Sequence, residues 1–381
     1  MRLSTDRILV THVGSLPRPQ SVVDMLFAQE REEPISMDEF YAVMRDAVAD
    51  AVQKQVDAGV DVVSDGEMSK ISYATYIKHR LTGFAGDSPR ATPKDLDEFP
   101  AFRDKLAAAG GTPKYSRPRA QSEITVKDLS PLDRDIEHLQ SAAQAAGAQE
   151  MFMNSASPGV IGVFQPNDYY PTHEEYLQAV ADAMKQEYER IAASGVLLQI
   201  DSPDLAMGRH IQYRDESDDD FVKHAEQQVE VLNYALQNVP AEQVRMHLCW
   251  GNYEGPHTHD IDLDKIINTV LKAKPQAILF EASNPRHAHE WTTWAAADIP
   301  DDKVLIPGVV DTTTNYVEHP ELVAERITRF TDIVGRERVL AGSDCGFGTF
   351  AGFGAVHPDI AYAKLGAMAE GARLASEKLW S

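Results

Sequence analysis

The chain is predicted to fold as a (β/α)8 TIM barrel, and three observations carry that expectation. Short apolar runs of strand length alternate with stretches of helical periodicity along the whole chain. Nearly every run leads into a polar, reactive side chain, the pattern expected where strand ends carry the chemistry of a barrel. No Gly-x-Gly-x-x-Gly follows the first run and no Walker loop occurs, so a doubly wound two-domain arrangement lacks its usual marks.

Each element has a local reason. Residues 8–14, Ile-Leu-Val-Thr-His-Val-Gly, read as a buried first strand, which Pro17 and Pro19 forbid from continuing. Residues 37–59 set Phe40, Met44, Ala47, Val48, Ala51 and Val52 on one helical stripe closed by Gly59. Residues 60–64 form the second strand, with Asp65 and Glu67 at its exit. Residues 85–118 are rich in Pro, Gly and charge and read as an insertion with little regular structure, a lid candidate within a single domain spanning 1–381; residues 119–126 add a strand outside the repeat. Helix 132–146, strand 150–155, helix 173–194 and strand 196–200 follow, delivering Ser155 and Asp201. The alternation then runs through helix 221–237, strand 244–248, helix 263–273 and strands 277–280 and 304–310. Helix 320–334, strand 339–341 and helix 358–379 close it. The strand exits in turn are Ser15, Asp65 and Glu67, Ser155, Asp201, His247 and Cys249, Glu281, Asp311 and Cys345.

Composition narrows the function. A formal charge of -23 argues against nucleic acid or an anionic membrane as partner, since both demand a basic footprint. A small molecule is the expected ligand. Two cysteines make no disulfide framework, and neither a signal peptide nor an apolar run of about 18 residues is present, so a cytoplasmic location is expected.

The chemistry concentrates in Arg-Met-His-Leu-Cys-Trp-Gly-Asn, residues 245–252. In a strand, positions i and i+2 share a face, so His247 and Cys249 form half of a tetrahedral zinc site. Cys345, in Gly-Ser-Asp-Cys-Gly, and Glu281, at the exit of the strand between, complete the ligand set. Two thiolates, an imidazole and a carboxylate leave zinc with a net charge of about -1, poor for polarising a carbonyl. Such a centre suits binding a substrate thiol and lowering its pKa from about 8.5. Asp65, Glu67 and Asp201 at the same rim are best satisfied by an ammonium group, because unpaired buried anions are costly. An amino-acid thiol follows. A zinc hydrolase and a zinc-stabilised binding protein are the competing classes; the two-thiolate set disfavours the first. His257 and His259 read as an exposed Gly/Pro loop, residues 346–354 as a rim loop able to stack on a flat ligand, and Asp215 to Asp220 as a surface turn.

Thr11-His12-Val13-Gly14-Ser15-Leu16-Pro17, Asp65-Gly66-Glu67, Gln199-Ile200-Asp201-Ser202-Pro203, His247-Leu248-Cys249, Phe280-Glu281, Pro307-Gly308-Val309-Val310-Asp311 and Ser343-Asp344-Cys345-Gly346 occur in one order. In that order they resemble the C-terminal catalytic barrel of the cobalamin-independent methionine synthase family. The resemblance implies a zinc enzyme that methylates the sulfur of homocysteine in methionine biosynthesis. It implies His247, Cys249, Glu281 and Cys345 as zinc ligands, Ser15 near the amino-acid carboxylate, and Glu67 and Asp201 near its ammonium. Three positions depart from the family: Ser202 replaces a carboxylate, Thr313 stands where a proton-donating His follows Asp311, and Phe164 falls near the folate-stacking Trp. Thr cannot protonate a pterin as His can, so the donor is left open between methyl-folate, a methyl-corrinoid protein and another small carbon electrophile. Transfer to coenzyme M, as in the related epoxyalkane:coenzyme M transferases, is the nearest alternative, and Glu67 and Asp201 would repel its sulfonate.

Overall fold

A computed structural model of the chain describes residues 1–89, 91–108 and 115–381. Its centre is one curled sheet of seven parallel strands in sequential order: β1 (Val62–Ser64), β4 (Glu150–Ala156), β5 (Leu197–Asp201), β6 (Val244–Leu248), β7 (Ala277–Phe280), β8 (Val304–Val310) and β9 (Gly342–Ser343). Two short strands, β2 (Phe84–Ala85) and β3 (Arg119–Ala120), pair antiparallel outside it. The strands of the main sheet are almost wholly buried, as parallel strands covered by helices must be. Among the described residues no helix is long and apolar enough to cross a membrane.

The predicted first strand takes an unusual form. Val10 makes a single parallel bridge to Ala341, and its carbonyl accepts the N–H groups of Asp61 and Val62, so residues 9–11 touch both edges of the sheet. Regular pairing stops there because the chain turns at once: Gly14 has φ +134°, and its N–H donates to His12 Nδ1. The last strand is likewise broken into bridges at Val339 and Ala341 followed by Gly342–Ser343.

Burial divides by strand face. Leu9, Val62, Phe152, Leu197, Leu279 and Ile306 form an inner apolar cluster, while Ile278, Phe280 and Ile200 pack outward against helices. Above the inner cluster the same face carries polar side chains. Arg245 donates to Thr11 Oγ1 and the His12 carbonyl, 2.8 Å each, and lies over the Phe152 ring. Register does the positioning: Asp201 pairs with His247, and Leu248 with Phe280. A one-residue slip would turn these side chains to the helical face.

The insertion is more regular than its composition suggests. Helices Asp95–Glu98 and Pro100–Ala108 lie within 85–118; residue 90 and residues 109–114 fall outside the described residues. The expected strand 119–126 reduces to Arg119–Ala120 and a lone bridge between Leu81 and Val126. Helix Gln20–Glu30 follows the Pro17/Pro19 pair, because proline at a helix start costs no hydrogen bond. Ser157-Pro158-Gly159 starts helix Pro158–Phe164, with the Ser157 hydroxyl accepting the Val160 N–H. The acidic run at 215–220 is partly a helix start: Ser217 caps Asp218–Ala235.

Candidate active site

His247 is the penultimate residue of β6, Cys249 follows that strand directly, and Cys345 lies two residues beyond β9. Ligand atoms of the three lie within 4.8 Å of one another, and all three residues are buried. The two Sγ atoms are 3.5 Å apart, far beyond a disulfide bond. His247 Nδ1 lies 3.6 Å from Asp201 Oδ1, and its buried Nε2 has no hydrogen-bond partner among the described residues. Hydrogen bonding from Cys249 and the nearby imidazole lower the Cys345 thiol to about 6 against the pull of burial. Burial opposes charge on His247, yet the Cys345 sulfur and Asp201 carry it up to about 10. Cys249, sharing its proton with Cys345 and buried, is pushed upward. A convergent imidazole and two sulfurs, one nitrogen orphaned and the ring backed by a carboxylate, fit a zinc ion.

Glu281, expected as the fourth ligand, follows β7 directly but is not among the converging atoms. Its Oε1 accepts the Trp250 N–H at 2.8 Å and its Oε2 accepts Asn284 Nδ2 at 2.7 Å.

Around the sulfurs lies a small chamber of about 40 Å³ whose walls include Ser15, Glu67, Asp201, His247, Cys249 and Cys345. Asp201 is held by Asn154 Nδ2 (3.0 and 3.2 Å) and Gln199 Nε2 (3.0 Å). Glu67 sits in a left-handed turn, φ +56°, and Arg18 donates to its carbonyl at 2.7 and 3.0 Å. Its Oε2 is buried without a hydrogen-bond partner among the described residues. Burial drives its pKa up to about 7, against the nearby Lys70 and Arg18, with Asp201 adding to the rise. Ser15 is pressed against Gly346, where an added Cβ would meet its Oγ at 1.9 Å.

The remaining expected residues point elsewhere. Asp65 Oδ1 accepts the Glu67 N–H (2.9 Å), and Asp311 accepts the N–H and hydroxyl of Thr313 and the hydroxyl of Thr314. Short turns give these carboxylates nearer donors than the chamber offers, and none of Asp65, Asp311 and Thr313 lines it. Ser155 faces the helices and donates to Glu187; its neighbour Asn154 is the residue on the site's face.

A second chamber, about 450 Å³, opens outward and shares Tyr73, Met207, Gly251, Asn252 and Thr349 with the first. Phe164 lines it, edge-on to Tyr73 at 5.5 Å, and Phe350 stacks on Tyr115. The loop 346–354 thus brings aromatic surface to the rim as expected, and Asn252 Nδ2 tethers it through the Gly346 carbonyl and Thr349 Oγ1, both at 2.7 Å. Tyr73, Asn154 and Asn252 carry no sequence motif and were not anticipated.

The His257 loop is covered rather than open. Asp95, on the insertion helix, accepts the His257 N–H and the Tyr253 hydroxyl. His257 Nδ1 faces Asp260 (2.9 Å) and its Nε2 the Tyr253 carbonyl (3.1 Å); His287 faces Asp260 and Glu290 at 3.1 and 3.0 Å. Every ring nitrogen meets an acceptor, which favours protonated rings: against burial, Asp260 raises His257, and Asp260 with Glu290 raises His287 to about 10. These groups could be mistaken for a second metal site. Their geometry makes them an ionic clamp, with His287 stacked on Trp250 at 4.3 Å.

This α/β protein gathers an imidazole, two thiols and the buried carboxylates Glu67 and Asp201 at the C-terminal rim of its parallel strands, where such folds carry their sites. The model of the cobalamin-independent synthase catalytic domain matches residues 8–91 and 166–372, and the chain belongs to that family. Methionine synthase of Saccharolobus solfataricus is 26% identical over 375 residues, covering 97% of this chain and 95% of the relative. That of Sulfolobus acidocaldarius is 23% identical over 339 residues, covering 88% and 84%. Among solved structures, a B12-independent methionine synthase from Shewanella sp. W3-18-1 in complex with selenomethionine superposes with a TM-score of 0.74 at 19% identity, covering 98% of this chain and 99% of that one. A putative vitamin-B12 independent methionine synthase from Listeria monocytogenes gives 0.66 at 15%, covering 98% and 99%. These two likenesses establish the fold.

Proposed function

We propose that this protein transfers a methyl group to the thiol of homocysteine, forming methionine, at a zinc site made by His247, Cys249 and Cys345 with Glu281 as an exchangeable fourth ligand. The observation that carries this reading is the assembly of Ser15, Glu67, Asp201 and the three soft ligands around one chamber. The relatives named methionine synthase, matched over nearly their full length, support it. When bound, zinc would keep the substrate sulfur as thiolate at neutral pH.

The chain's own residues do the rest. Glu67, with an unpaired buried oxygen, and Asp201 receive the ammonium group, and a cation there removes the cost of burying Glu67 ionised. Ser15 lies against the amino-acid carboxylate. The inner chamber is too small for a donor, so the methyl group reaches the sulfur from the outer one, past Tyr73 and Asn252. Phe164 and Phe350 offer that donor flat apolar surface, and methyl-folate and methyl-corrinoid are the two to test. Thr313 is bonded to Asp311, and its hydroxyl cannot protonate a pterin as a histidine can. We read residues 9–11 as the first strand of a closed (β/α)8 barrel, one domain over 1–381, with the described residues of the 85–118 insertion as its cover.

Purified, freshly reduced protein should hold about one zinc per chain, as one ligand set allows. Added homocysteine should raise the sulfur count at the zinc absorption edge, and methionine should form with one of the two donors. Near-zero zinc, or no thiol of a panel adding sulfur, overturns the proposal.

A further inference from the structure

We infer that Asn284 and Asp344 are positioning residues forming a receiver for the Glu281 carboxylate, which it occupies when the acceptor thiol enters; this rests on the zinc–thiol reading above. Both Glu281 oxygens are engaged, and by different elements: the Trp250 N–H after β6 and Asn284 Nδ2 after β7. Neither donor is free to swing. The Trp250 indole donates to the Ile261 carbonyl at 2.8 Å and its ring is stacked on His287. Asn284 is gripped from both ends: its N–H and Nδ2 donate to Asp344 Oδ2 at 2.8 and 3.1 Å, and its Oδ1 accepts the N–H groups of Arg286 and His287.

Asp344 completes the turn by accepting the Ala282 and Ser283 N–H groups, 2.9 Å each. It fits there because residue 308 is glycine; a Cβ would stand 2.2 Å from Asp344 Oδ1. A carboxylate that only ligates a metal needs one outer hydrogen bond to orient it. Here two fixed donors, one on each oxygen, hold Glu281 beside the converging His247, Cys249 and Cys345. Each donor weakens Glu281 as a ligand and so favours its exchange for a thiolate.

The sign of the consequence separates this role from a merely structural one. Without Asn284 Nδ2, Glu281 binds the metal harder, so zinc is held more tightly and homocysteine more weakly. A structural asparagine, once removed, would loosen both. In the zinc-loaded full-length protein, Asn284→Ala should hold zinc about tenfold more tightly against a chelator in the absence of thiol, the worth of one hydrogen bond to a charged group. Its KM for homocysteine should rise by a similar factor with kcat little changed. Asn284→Asp, which keeps the Oδ1 bonds of the turn, should move both quantities the same way and decides the matter if the alanine variant does not fold. Zinc held equally or less tightly in a folded variant, or an unchanged KM, overturns the receiver. Wild-type protein that binds no zinc overturns the function reading itself.

Discussion

Replacing Glu67 by Gln should stabilise the fold while weakening the site. The side chain is 2% exposed, one carboxylate oxygen has no hydrogen-bond partner among the described residues, and burial lifts its pKa to about 7 from the usual 4.5. Below 4.5 the group is protonated in folded and unfolded chains alike and contributes no difference. Between 4.5 and 7 the unfolded chain releases its proton first, so stability falls as pH rises. Above 7 the deficit is complete, at about 3 kcal/mol. Gln cannot ionise, and burying its amide offsets part of the gain. The advantage of Glu67→Gln over wild type in urea unfolding should therefore grow by about 2 to 3 kcal/mol between pH 4.5 and pH 8. The same variant should raise KM for homocysteine about tenfold or more, by loss of a charge-assisted contact, and should lack the acid limb near pH 7 expected in wild-type kcat/KM. A stability difference independent of pH, or a variant less stable at pH 8, would refute the reasoning.

Other outcomes follow from the same geometry. Cys345→Ser should drop zinc from about one per chain to near zero, measured by elemental analysis, with circular dichroism little changed. Asp201→Asn should keep zinc and raise KM for homocysteine about tenfold, since one charge is lost from the ammonium site; an unchanged KM would remove Asp201 from that role. Gly346→Ala should displace Ser15, because the new methyl meets its Oγ, and lower homocysteine affinity in a zinc-replete protein. Arg80 bridges buried Asp135 and Glu187 at 2.6 and 3.0 Å. Arg80→Met should therefore cost about 3–5 kcal/mol of unfolding free energy, the penalty of stranding buried charges.

Local sequence determined most of the elements and the candidate ligands His247, Cys249 and Cys345. Strands 244–248, 277–280 and 304–310 and helices 320–334 and 358–379 end where apolar periodicity, proline and polar exits say they should. His247-x-Cys249 shares a face because strand side chains alternate, and that follows from backbone geometry alone. The cost of unpaired buried anions singled out Glu67 and Asp201, the resemblance added Ser15, and all three line the chamber. The directions of carboxylates were decided only in three dimensions. Asp65 and Asp311 found donors within their own turns, whereas Asp201 is aimed by Asn154, 47 residues away in the chain. Glu281 shows the same limit: its position after β7 was legible, but its hydrogen-bond partners depend on how β6 and β9 pack beside it. The covered His257 loop needed the insertion's Asp95, 162 residues distant. Period-two and helical patterns record which face a side chain takes, because burial acts on each residue separately. Hydrogen-bond partners brought together by tertiary packing leave no such periodic trace, and they decide how this site's carboxylates are aimed.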